Sequence, residues 1–239
     1  MNRLAKTNQI DVIILVGGKG SRLRELISDR PKPMAEINGE PFLNILISYI
    51  SSYHLVRIIL CVGHMSYYMR KHYEKKQYPL EIVFSSEDRP LGTAGAVKNA
   101  EKLIRTSPFL VMNGDSFCSV NLTEFIGFHT SRKAVASMVV APANDKSSDY
   151  GSLEMNELHE IIRYEEKKSG QMRRCINGGI YLFEKEVLSK IPEDKNYSLE
   201  YNLFPALVNN KFYGFETLEP VIDIGTPERL ERARKLLSR

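Results

Sequence analysis

The chain has 239 residues, 43% of them hydrophobic and 26% charged, with a formal net charge of +4. This is ordinary globular composition, with material for one large domain or one domain and a small appendage. Lys and Arg are scattered among Asp and Glu, so no basic tract points to nucleic acid, and no apolar run approaches transmembrane length. The cysteines at 61, 118 and 175 suggest neither a disulfide framework nor zinc spacing. Cys61 and Cys118 lie in apolar surroundings and read as buried small hydrophobes. The N-terminus has no apolar leader, so the reducing cytoplasm is the expected compartment and no membrane partner is expected.

Short apolar runs alternate with helical patterns. Residues 12–16 read as a strand, 41–53 as an amphipathic helix opened by Pro41, 57–62 as a β-branched strand and 66–75 as a helix. A strand at 80–84, a helix over 92–105 and a strand at 109–112 follow, then a helix at 122–132 and a strand at 134–141. This βαβα order predicts an α/β fold, a mostly parallel sheet with helices on both faces. After about residue 143 the rhythm changes. A polar turn at 144–150 precedes strand-like pieces at 151–155, 159–164 and 176–183. A helix near 198–209, two short strands and a closing helix from 227 to 237 complete the chain. The expectation is one domain, 1–239, in two lobes: about 1–143 for a nucleotide and about 144–239 for a second substrate.

The first strand runs into Gly17, Gly18 and Gly20. Glycines there let backbone N–H groups approach a ligand that a Cβ would block. With Arg22 and Lys32 close behind, the loop forms a cradle for negative charge, and a polyphosphate is its natural occupant. Pro31 and Pro33 flank Lys32 and lower the entropy of aiming its ammonium. A dinucleotide-binding turn would need an acid about 20 residues on, at the end of the second strand. Here that strand ends Cys61–Val62–Gly63–His64, and no Gly-Lys-Ser/Thr closes a Walker A loop. Asn113–Gly114–Asp115 closes an apolar strand, and Asp115 offers oxygen to a hard cation such as Mg²⁺. Asp223 is an acid in an apolar strand, which needs a cation, a hydrogen-bond network or the helix N-terminus that follows at Thr226–Pro227. Glu166, Lys167 and Asn177 carry groups that suit sugar phosphate, although residues 164–169 also read as a plain charged hairpin. Residues 17–22, 87–95 and 113–115 all fall at carboxyl ends of strands, so three motifs are expected to share one cleft.

Together these stretches resemble the sugar-1-phosphate nucleotidylyltransferases. The motifs are GGKGSRL at 17–23, RPKPM at 30–34, NGEPFL at 38–43, PLGTAGA at 90–96, NGD at 113–115, EK at 166–167, NGGIY at 177–181, SLE at 198–200 and DIGTP at 223–227. Within the family the chain looks most like the mannose-type guanylyltransferases and the short D-glycero-α-D-manno-heptose 1-phosphate guanylyltransferases of bacterial surface-polysaccharide pathways. It departs from the usual pattern at Ser21, at Arg24–Glu25 and at Met34. The resemblance implies a Rossmann-like nucleotide-diphospho-sugar transferase fold. It implies a nucleotide site of Leu15, Gly17, Gly18, Gly20, Ser21, Glu87, Gly92 and Thr93, with Arg22, Lys32 and Asp115 catalytic. Asp115 and Asp223 would hold Mg²⁺, while Asn113, Gly151, Glu166, Lys167 and Asn177 would take the sugar phosphate.

The implied reaction joins a sugar 1-phosphate and an NTP into an NDP-sugar, releasing pyrophosphate. Glu87 leans the base toward guanine, because an acceptor-only carboxylate suits the adjacent N1–H and N2 donors. A mannose enzyme, or a uridylyl, cytidylyl or thymidylyl transferase, is the alternative within the family. Two other classes stand beside it: a catalytically silent regulatory subunit, and a nicotinamide-dependent dehydrogenase disfavoured by the missing ribose acid. A homo-oligomer is left open.

Overall fold

The first strand, β1 (Asp11–Leu15), is apolar after Asp11 because both of its faces are covered. Val12 and Ile14 enter one core cluster and Ile13 the other, as a two-residue period requires. The computed structural model describes residues 10–18, 20–23, 26–53, 55, 57–75, 78–142, 152–166 and 175–237. Two 3-10 turns (Ser21–Leu23 and Lys32–Met34) lead to a small hairpin of β2 (Glu36–Ile37) and β3 (Glu40–Pro41), then to helix α1 (Phe42–Ser51). Next come β4 (Arg57–Val62), α2 (Ser66–Tyr73), β5 (Glu81–Ser86), α3 (Gly92–Asn99), β6 (Phe109–Asn113) and β7 (Ser116–Phe117). They are followed by α4 (Leu122–Ser131), β8 (Ala136–Pro142), β9 (Ser152–Met155), β10 (Ile161–Glu165) and β11 (Cys175–Phe183). The last elements are α5 (Phe204–Leu207), β12 (Phe212–Glu216), β13 (Ile222–Asp223) and α6 (Pro227–Leu236).

Among the described residues the main sheet has nine strands. Its first half, β6-β1-β4-β5, is parallel throughout, as the βαβ rhythm predicts. β11 then runs antiparallel to β6, and β8, β9 and β10 continue the antiparallel part. β12 returns parallel to β8. The expected mixed, mostly parallel α/β sheet is therefore present. Helices cover both faces: α1, α4 and α6 pack in one core cluster, α3 and α5 in the other. No described helix is long and apolar enough to cross a membrane.

Two local readings are corrected. The helix expected over 92–105 ends at Asn99, a 3-10 turn covers Glu101–Leu103, and Arg105 instead donates its backbone N–H to Asp11. The helix expected near 198–209 is a π turn (Leu199–Leu203) followed by the single turn of α5. Pro205 has no N–H to bond four residues back, which breaks the continuous helix. The β2–β3 hairpin was not predicted, yet Asn38 and Gly39 both take positive φ, 51° and 89°, as a tight hairpin turn of that type requires.

Two buried polar clusters brace the sheet. Arg57 and Asp11, 4% and 5% exposed, pair at 2.9 Å, and Asp11 also accepts the Thr106 N–H at 3.1 Å. His129, 1% exposed, lies 2.8 Å from Ser137 Oγ and 3.4 Å from Glu184 Oε1. Burial pushes the His129 imidazole below its usual 6.5, with Glu184 opposing that shift. The folded state thus favours neutral His129, so its contribution is complete above about pH 6.5 and is lost as acid protonates the unfolded chain first. The loss ends once the pH has fallen past the folded-state value, where both states are protonated. Urea unfolding at pH 7, 6 and 5 is expected to show a shallower acid loss for His129→Gln than for wild type; parallel curves would remove His129 from the acid limb.

Candidate active site

A cavity of about 750 Å³ opens at the carboxyl ends of β1, β4, β5 and β6. Leu15, Gly17, Gly18, Gly20, Arg22 and Lys32 line one side, and Glu87, Gly92, Thr93, Asn113 and Asp115 line others. The three expected motifs do converge. Backbone bonds hold the loops at one height: Val16 N–H donates to Cys61 O, His64 N–H to Gly17 O and Gly114 N–H to Leu15 O, at 3.0, 3.3 and 3.0 Å. Two of the glycines answer different needs. A Cβ at Gly17 would lie 3.2 Å from both Glu87 Oε1 and Gly63 N, whereas one at Gly18 would meet nothing within 4 Å. Cys61 sits beneath the loop; its thiol faces Ala96 O at 3.5 Å and burial pushes its pKa up to about 12.

Lys32 lies in its 3-10 turn between two buried prolines. Its Nζ donates to Asp115 Oδ2 at 2.5 Å; the lysine side chain is 15% exposed and the aspartate 45%. Asp115 O accepts the Ile224 N–H at 3.0 Å, and Asp223 pairs in register with Ser116 across β13 and β7. Asp223 is not on the cavity wall. It is held behind Gly225, whose N–H donates to Asp223 Oδ1 at 2.8 Å, and Arg229 Nη1 reaches the same oxygen at 3.3 Å. Of the structural partners foreseen for that acid, the hydrogen-bond network is present, whereas the start of α6 is capped by Thr226. Asp115 nevertheless lines the cavity, and Asp223 Oδ1 lies just behind Gly225, which lines it too. That donor set fits a hard cation that takes one or two carboxylates and completes its shell with phosphate and water. Among the described residues no group of three His, Cys, Asp or Glu forms a protein-only cage.

Glu87 follows β5, and its Oε2 accepts the Leu91 N–H at 3.2 Å. Burial pushes its carboxyl pKa up, with the Leu91 bond opposing. Gly92 takes φ +73°, and a Cβ there would stand 2.7 Å from Tyr197 O. Thr93 Oγ1 donates to Glu200 Oε2 at 2.8 Å and accepts the Leu199 N–H at 2.7 Å. Of the expected sugar-phosphate residues, Asn113 lines the cavity. Asn177 donates to Tyr181 OH at 2.8 Å and accepts the Gly179 N–H, while Glu166 accepts from Tyr164 OH at 3.3 Å. Asn177 and Glu166 lie off the cavity wall. Gly151, Lys167 and the side chain of Ser21 lie outside the described residues. Sequence reasoning gave no role to Glu200, which lines the cavity, or to Arg229. Ser198–Leu199–Glu200 was a motif match, whereas Arg229 reads as the polar face of a helix.

The fold and the cleft define an α/β protein with a glycine-lined cavity at the carboxyl ends of its parallel strands. Residues 11–239 match the model of the nucleotidyl transferase family, and the chain belongs to that family. It is 31% identical over 229 residues to the D-glycero-alpha-D-manno-heptose 1-phosphate guanylyltransferase of Aneurinibacillus thermoaerophilus, covering 95% of this chain and 98% of that protein. It is 32% identical over 230 residues to the mannose-1-phosphate guanylyltransferase of Mycobacterium tuberculosis, covering 95% of this chain and 64% of that longer protein. The crystal structure of HddC from Yersinia pseudotuberculosis complexed with GMP-PN superposes with a TM-score of 0.82 at 34% identity, covering 96% of this chain and all of that one. The resemblance carried by the motifs is thus borne out.

Gly92→Ala is expected to lower folding stability by at least about 1–2 kcal/mol, the cost of a Cβ in left-handed backbone, while Gly18→Ala leaves it unchanged. Paired thermal melts check this; equal losses at the two positions would contradict it.

Proposed function

We propose that this chain transfers guanylyl from GTP to D-glycero-α-D-manno-heptose 1-phosphate, with Mg²⁺, giving GDP-heptose and pyrophosphate. The observation that carries the reading is the Lys32–Asp115 pair beside Arg22 in a glycine-lined cavity. Relatives named for the heptose reaction, matched at 31% and 32% identity over nearly their whole lengths, support the sugar. The mannose 1-phosphate reading has a 32% identical relative behind it and is the second reading.

The sugar phosphate oxygen attacks the α-phosphorus in line, the α–β anhydride bond breaks, and the pair of electrons leaves with pyrophosphate. The attacking oxygen is already anionic near neutral pH, so no side chain has to remove a proton. The chain's task is to hold two anions together and to offset charge as it develops. Lys32, mostly buried and aimed by its flanking prolines, is placed for the α-phosphate. Arg22, exposed at the loop, is placed for the outer phosphates. Asp115 and Asp223 would hold Mg²⁺, which supplies Lewis-acid polarisation of phosphoryl oxygens. Glu87 accepts from the base edge; with one lone pair on Leu91 N–H it retains acceptor capacity on both oxygens.

Pyrophosphate release across four NTPs and a panel of heptose, mannose and glucose 1-phosphates tests the reading. Release with GTP and the heptose alone is expected; release with another pair replaces the substrate names. No release with any pair would favour a silent regulatory subunit. Lys32→Ala is expected to cut kcat by about 10²-fold or more, as loss of a preorganised electrostatic group does. Near-normal turnover would remove Lys32 from the catalytic set.

A further inference from the structure

Arg229 lies in the first turn of α6, where Thr226 caps the helix. Its Nη1 is 3.3 Å from Asp223 Oδ1, and the two side chains are 19% and 13% exposed. A Cβ built at Gly225 would stand 2.8 Å from Asp223 Oδ1 and 3.7 Å from both Arg229 Nη1 and Lys32 Nζ. Lys32 in turn holds Asp115 at 2.5 Å. Two cations and two carboxylates thus gather near one glycine, which lines the cavity together with Lys32 and Asp115. Arg229 pairs with Asp223 and Lys32 with Asp115, so each carboxylate has a cationic partner.

We propose that Arg229 is a positioning residue that closes Asp223 into an ion pair in the absence of a divalent cation and competes with that cation for the carboxylate. The inference rests on the metal role of Asp115 and Asp223 set out above. A cation binding ahead of the nucleotide must displace Arg229 from a half-buried partner with only the protein's oxygens as return. One arriving with a triphosphate brings extra oxygens and negative charge, and the freed guanidinium then faces those anions. Arg229 thereby makes firm metal binding conditional on nucleotide. Lys32 plays the same part toward Asp115, but it lines the cavity already, so Arg229 is the member whose loss, without nucleotide present, reads the competition alone.

The test uses Mn²⁺ alone as probe, with the purified full chain and no nucleotide, reading free aquo-Mn²⁺ by its EPR signal. Arg229→Met keeps most of the side-chain stem and is expected to bind Mn²⁺ about three- to tenfold more tightly than wild type, the scale of one partly screened ion pair. Arg229→Lys should stay near wild type, and adding Asp223→Asn to Arg229→Met should erase the gain. The thermal midpoint of Arg229→Met should fall in chelator and rise more than that of wild type on adding Mn²⁺. If Arg229→Met does not fold, Arg229→Gln replaces it. Unchanged or weaker Mn²⁺ binding in the neutral variant would overturn the proposal and leave Arg229 a brace of α6. If no form binds Mn²⁺, wild type included, the metal reading falls and the proposal with it. Pyrophosphate release from GTP would then show the transferase reading standing independently.

Discussion

The register of β1 between β4 and β6 is the constraint on which the cleft depends. Leu15 stands opposite Cys61 on one side and Asn113 on the other. That alignment brings the three loops that leave these strands to one height. A slip of one residue would exchange the two faces of a strand buried on both sides. It would also part Asp11 from Arg57, which are register partners at the far end of the same strands. Breaking such a pair is costly, because either partner alone is a buried uncompensated charge. One end of the sheet therefore carries the penalty for misalignment and the other carries the cavity.

At the cavity end, the same strands deliver charge rather than apolar contact. β6 ends at a turn that offers Asp115, and β13 brings Asp223 alongside through its pairing with β7. Neither acid stands alone. The later part of the chain contributes through Glu200, which accepts from Thr93 and from Ser198, tying the head of α3 to the turn before α5. Tyr181, fully buried, accepts from both Asn177 and Asn113, which joins β11 to the end of β6 by hydrogen bonds.

The parts written locally in the sequence were legible. β4 is six consecutive buried residues, and the five apolar ones after Arg57 read as a covered strand. Gly17, Gly20 and Lys32 lie close in sequence as well as in space, so their cradle could be read directly. What could not be read is partnership across the chain. Lys32 and Asp115 are 83 positions apart, and no local pattern announces their contact. Arg229 is only six residues from Asp223, yet its helical spacing makes it one more polar residue on an amphipathic helix. Glu166 and Asn177 were chosen for their chemistry, and their hydrogen bonds to Tyr164 and Tyr181 depend on where β10 and β11 fold back. The breaks at Ala100 and before Pro205 were missed for a simpler reason: apolar spacing continues through both, while the backbone bonding does not.

Cys61 adds a consequence for inhibitor chemistry. A thiol at the base of a nucleotide-sized cavity invites covalent capture by an electrophilic ligand. With its pKa pushed up to about 12, however, the thiolate is about one part in 10⁵ at neutral pH, and the thiolate is the nucleophile. The side chain is also 3% exposed. Acrylamide or chloroacetyl warheads built onto a nucleotide scaffold would meet an inert sulfur here, and the cleft should keep its shape through oxidative stress that modifies more acidic cysteines.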